Sequence, residues 1–165
     1  CLYDVLGDSK VRPNQLFALS LSHPIVDNAE IAEQVLNTVE NKLLNKYGLK
    51  TLAKGEENYI DIYEGNGFKR DMSYHQGITW PWLLGIYNDT FRKIKESEKT
   101  IKNKKQYKED YEKFIKELKS VAKKMIEDEG CIGSISELYD SKRPQLPKGA
   151  IAQAWSVAEI FRILY

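Results

Sequence analysis

This sequence has little that could hold a metal, a phosphate or a nucleotide. Its 165 residues include two cysteines and two histidines. Cys1 and Cys131 stand far apart without CxxC spacing, so they read as free thiols of a reducing, cytoplasmic compartment, with a single bridge left open. His23 and His75 form no ligand set with other residues, which gives no metal site. No glycine-rich phosphate loop is present. No Ser or Cys lies near an obvious base, so a nucleophilic triad is unsupported. No cofactor is expected. Net charge is also lacking, with 25 basic against 24 acidic residues. A dedicated nucleic-acid or anionic-membrane surface would leave a basic excess. Apolar runs are only a few residues long, so nothing spans a bilayer as a helix. The chain has no initiator methionine or signal peptide, and it ends on the apolar "AEIFRILY". We therefore expect a fragment or a processed chain. Its length suits one domain burying about 70% of its unfolded surface.

What is present is helical periodicity. From Ala29 to Tyr47 the apolar stripe is Ile31, Ala32, Val35, Leu36, Val39, Leu43 and Leu44. Asp27 and Glu30 resemble a capping box there, and Gly48 suits the C′ position. From about 105 to 129 a second stripe runs from Tyr107 to Ile126, backed by Lys and Glu. Interleaved acids make that basic face an ordinary solvated one. Residues 13–22, 81–96 and 150–164 read as three further helices, the first and last buried nearly all round. Pro13 and Pro81 suit first helical positions. Residues 59–67, "YIDIYEGNG", suggest a small β-hairpin.

Buried and amphipathic helices thus alternate. If successive helices are antiparallel, the first, third and fifth run parallel. Segments 1–12, 49–80 and 130–149 then enter at one end, while the short links 23–27 and 97–104 lie at the other. Long ordered loops are often functional. Arg12, Tyr74 to Gln76 and Glu137 are expected to converge at the loop-rich end.

The stretch "DMSYHQGITWPW" (71–82) puts flat apolar faces beside hydrogen-bonding groups. A pyranose has an apolar C–H face and a rim of hydroxyls, so this composition suits a sugar. Trp80, Trp82, Tyr74 and Trp155 are candidates to stack. Arg12, Asn14, Gln15, His75, Gln76 and Gln153 are candidates to read hydroxyls. The competing reading makes the tryptophans core anchors. Glycoside hydrolysis usually needs two carboxyl groups. Glu137, in a loop with Gly130 and Gly133, is the leading candidate. Asp4, Asp8, Asp71 and Asp140 are weaker, and none is convincingly paired.

Four motifs in order carry a resemblance: "RPNQLFALS" (12–20), "YHQGITWPWLLGIY" (74–87), "GSISELYD" (133–140) and "PKGAIAQAWSVAEIFRIL" (147–164). Together they resemble the C-terminal part of glycogen debranching enzymes, the amylo-α-1,6-glucosidase domain, from about Asp8 to Leu164. The resemblance implies an all-α fold, an (α/α)6 barrel of which residues 1–165 would form about the C-terminal half. It implies hydrolysis of α-1,6-linked glucosyl stubs on a branched α-glucan, with inversion. It puts Glu137 in the place of the general base. The family's general acid is an aspartate in a tryptophan-rich motif before "RPNQ", and no such motif occurs here. The upstream half of the polypeptide would supply it, and residues 1–165 alone are expected to be inactive. Rival readings are another (α/α)6 glycosidase, glucoamylase- or trehalase-like, and a non-catalytic glucan-binding helical module.

Overall fold

The computed structural model describes residues 1–95 and 104–165. A 3₁₀ turn at Pro13–Leu16 leads into α1 (Phe17–Ser20). Helix α2 spans Ala29–Lys42 and is followed by β1 (Leu44–Asn45) and β2 (Gly48–Lys50). Then come α3 (Gly67–Tyr74), β3 (Thr79–Trp80), α4 (Leu83–Lys95) and α5 (Lys104–Glu127). The chain closes with β4 (Leu138–Tyr139), β5 (Pro147–Lys148) and α6 (Ala154–Leu164). The expected link at 97–104 falls almost wholly outside the described residues.

The all-α expectation, half of an (α/α)6 barrel, is overturned. Five short strands form one antiparallel sheet in the order β1-β2-β3-β4-β5, so the fold mixes α and β. The physical reason lies in the connections. Leu49, Trp80, Leu138 and Tyr139 are all 3% exposed or less. Buried backbone N–H and C=O groups need partners, and these segments find them in one another. Leu49 pairs with Trp80, Thr79 with Tyr139, and Leu138 with Lys148. Gly48 fits this packing, because a Cβ there would lie 2.3 Å from the Trp80 carbonyl oxygen.

The helices differ from expectation in detail. α2 is capped by Asn28, whose side chain accepts from Ile31 N, rather than by Asp27. It stops at Lys42, before the expected end, and Gly48 belongs to β2. The Asn45 side chain accepts from Tyr47 N and turns the chain into the β1–β2 hairpin. Its buried face is Ala32, Val35, Leu36 and Val39, as the stripe indicates, whereas Ile31 is exposed. Helix α4 starts two residues after Pro81. Helix α6 is not buried all round: Ser156, Ile160 and Ile163 face inward, while Trp155, Val157 and Phe161 are exposed.

Residues 59–67 form no hairpin. The stretch runs extended across the sheet end, with Ile60 N donating to Gln76 O (2.6 Å). Asp61 O accepts from Ser141 N (2.9 Å) and Lys142 N (3.1 Å). Asn66 then caps α3 by accepting from Lys69 N. The core joins α2, α4, α5, α6 and the sheet, with Leu36, Leu43, Leu49, Ile78, Met125, Leu138 and Ile160 all 2% exposed or less. Among the described residues, no helix is long and apolar enough to cross a membrane.

Candidate active site

A cleft of about 540 Å³ opens where the strand ends meet the 3₁₀ turn and the start of α6. Its lining draws on segments distant in sequence. Asp4 and Arg12 come from the N-terminal segment and Pro13 and Asn14 from the 3₁₀ turn. Thr51 and Trp80 come from the strand ends, Tyr74 to Gln76 from the α3 exit, and Trp82, Leu83 and Trp155 from the starts of α4 and α6.

Arg12 holds these pieces together. Its Nη1 donates to Thr51 O (3.1 Å) and His75 O (2.7 Å), and its Nη2 to Gln76 Oε1 (2.8 Å). Three of its five N–H donors thus go to protein acceptors. With Gln76 Oε1 engaged, its NH₂ remains to donate into the cleft. Gln15 turns away from the cleft. It is 6% exposed, accepts from Leu2 N (3.1 Å) and donates to Arg12 O (2.8 Å). Asn14 is exposed and donates to Asp4 Oδ2 (3.0 Å).

The aromatic residues form a continuous wall. Trp80 is only 3% exposed and donates its indole N–H to Tyr74 O (3.1 Å). The His75 imidazole stacks on it at 5.5 Å and 13°. Trp155 stacks on Trp82 at 5.3 Å and 22° and meets Trp80 edge-on. Trp155 is 45% exposed. Flat surface open to a ligand is therefore offered by Trp155 and His75, while Trp80 is the anchor behind them. Packing against this wall pushes the His75 pKa down, and the Arg12 cation adds to this against a smaller opposing effect of Glu137. The imidazole is therefore neutral at neutral pH, with one donor and one acceptor nitrogen.

Glu137 is half-buried beside this wall, immediately before β4. It is not a lining residue of the cleft, but Tyr74, which is, donates its hydroxyl to Glu137 Oε1 (2.5 Å). Gln153, the residue before α6, donates to the same oxygen (3.4 Å). Ala150 N donates to Oε2 (3.0 Å). Burial, followed by the Glu137 hydrogen bond and charge, raises the Tyr74 pKa, so its hydroxyl remains a donor. The structure thus brings together Arg12, Tyr74, His75, Gln76, Trp80 and Trp155 in one cleft, with Glu137 one hydrogen bond behind it and Gln153 bonded to Glu137 in turn. The arrangement comes from sheet register rather than helix parity. The Thr79–Tyr139 pairing places the segment after Tyr74 beside the segment after Glu137.

The weaker carboxylates separate. Asp140 is 4% exposed, accepts from Tyr63 N (2.8 Å) and faces Lys148 (3.8 Å). Burial raises its pKa despite those contacts, and its role is to hold the extended segment at 63. Asp8 accepts from Lys10 N (3.0 Å), which is the main cause of its lowered pKa. Asp71 is exposed on α3. Only Asp4 of these four lines the cleft. Sequence reasoning missed Gly149 and the Ala150 amide. Their signal was the glycine of "PKGA", which sits at φ +70° with no room for a side chain. Among the described residues, no cluster of three His, Cys, Asp or Glu side chains could hold a metal.

A family model described as amylo-alpha-1,6-glucosidase matches residues 2–162. The chain belongs to that family, and is a glycogen debranching enzyme-related domain of the glycoside hydrolase type.

Proposed function

We propose that the cleft is the glucosyl-binding site of an inverting α-1,6-glucosidase and that Glu137 is its general base. The observation that carries this reading is a carboxylate fixed by three donors behind a wall of tryptophan, tyrosine and histidine. A glucosyl stub would lay its C–H face on Trp155 and His75. The Gln76 amide, the Asn14–Asp4 pair and the neutral His75 would read its hydroxyls. Glu137 would take a proton from the attacking water, which adds to the anomeric carbon on the face opposite the leaving oxygen. Bond making and breaking on opposite faces inverts the centre. The general acid is assigned to the upstream part of the polypeptide, because the tryptophan-rich aspartate motif is not among residues 1–165. The substrate is a branched α-glucan, with no cofactor.

A second reading draws on one observation. Glu137 is not a lining residue of the cleft, as a module that binds glucan without turnover would allow. Both readings use the aromatic wall, and kinetics separates them. In the complete polypeptide, Trp155→Ala is expected to raise KM for a limit dextrin by about tenfold, equivalent to about 1.4 kcal/mol of lost stacking, with kcat changed far less. Initial rates of glucose release over a range of dextrin concentrations check this. Tight dextrin binding without any glucose release by the complete polypeptide would favour the binding module.

A further inference from the structure

We infer that Tyr74 is a positioning residue for Glu137, holding the carboxylate in one orientation. This inference rests on the reading of Glu137 as the base.

The geometry starts with the Tyr74 ring. It meets Trp80 edge-on at 4.7 Å, His75 at 4.7 Å and Tyr63 at 5.9 Å. Three aromatic neighbours leave the ring little freedom, so its hydroxyl points one way, to Glu137 Oε1 at 2.5 Å. Hydrogen bonds from a neutral donor to a carboxylate are shorter and stronger than neutral pairs. Gln153 Nε2 reaches the same oxygen only at 3.4 Å, so Tyr74 is its main donor. Ala150 N fixes the other oxygen at 3.0 Å. Donors on both oxygens set the plane of the carboxylate and hence the direction of its remaining lone pairs. A base that must meet one water at one angle needs that constraint.

With its proton engaged by Glu137, Tyr74 has none left to donate to a sugar hydroxyl. Its contribution to substrate is its ring edge, while its hydroxyl serves the base.

The test is the steady-state kinetics of glucose release by the complete polypeptide. Tyr74→Phe keeps the ring and removes the donor. Its kcat should fall about tenfold while KM changes less than about threefold, because the substitution disturbs orientation rather than binding. Replacing Tyr74 by 3-fluorotyrosine keeps a hydroxyl donor and should hold kcat within about twofold of the wild type. An unchanged kcat in Tyr74→Phe overturns the inference, as does a fall in the 3-fluorotyrosine variant equal to that in Tyr74→Phe. Glu137→Gln, measured alongside, separates the two layers. If it is inactive while Tyr74→Phe keeps its kcat, only the positioning role fails. If Glu137→Gln turns over normally, the base assignment fails and the positioning role with it.

Discussion

Glu137→Gln in the complete polypeptide is expected to lower kcat on α-1,6-glucosyl stubs by about 10²–10⁴-fold, the usual contribution of a general base. The amide keeps the shape of the carboxylate, though its single oxygen can accept from only one of Tyr74 and Ala150 N, which donate to different oxygens of Glu137. It cannot take the proton of an attacking water. Glucan binding should change little, because the stacking surfaces are on Trp155 and His75 and the hydroxyl readers are on other residues. Turnover of Glu137→Gln near the wild-type rate would remove the assignment and make Asp4, the carboxylate that lines the cleft, the next to test.

The second large effect is expected at Gly149. A Cβ there would lie 2.3 Å from Glu137 Oε2 and 3.1 Å from Glu137 Cβ, at φ +70°. Oε2 is the free end of the Glu137 side chain, so the contact is relieved by displacing the carboxylate itself. Gly149→Ala is expected to cut kcat by roughly 10²-fold through misplacement of the base. It should also cost about 1–2 kcal/mol of stability from the left-handed backbone. Gly133→Ala provides the comparison. Gly133 has φ +86° but nothing within 4 Å of an added Cβ. It should lose similar stability with kcat nearly unchanged. Paired thermal melts and initial rates distinguish the two, and equal kcat losses would mean that displacement of Glu137 is not the cause.

These effects show which parts of the molecule were legible in sequence. The make-up of the cleft was, because it depends on residue type: "YHQG" beside "WPW" announces aromatic faces with polar edges, and residues of both line the cleft. The long helices were too, since α2 and α5 carry apolar stripes several turns long. The sheet was not. Its strands are two or three residues long, too short for any alternation to be seen. Helix α3 was hidden for a related reason. Ser73 is its only buried residue, and Phe68 and Met72 face solvent, so no apolar stripe marks it. Roles within the site were least visible. Arg12 and Gln15 look like sugar readers in the string "RPNQ". Whether a polar side chain spends its donors on protein or ligand depends on carbonyls at Thr51 and His75, far away in sequence. The partners of Glu137 are remote as well, 63 residues away at Tyr74 and 16 away at Gln153.

A base and a nucleophile are the two roles a single carboxylate can play here, and they give opposite products. A base activates water and the sugar leaves with inverted configuration. A nucleophile forms a glycosyl-enzyme and the second displacement restores the original configuration. The most direct measurement is therefore proton NMR of the first glucose released from an α-1,6-glucosyl limit dextrin by the complete polypeptide, recorded before mutarotation. β-Glucose as the first-formed anomer is the predicted result, and α-glucose would contradict the account.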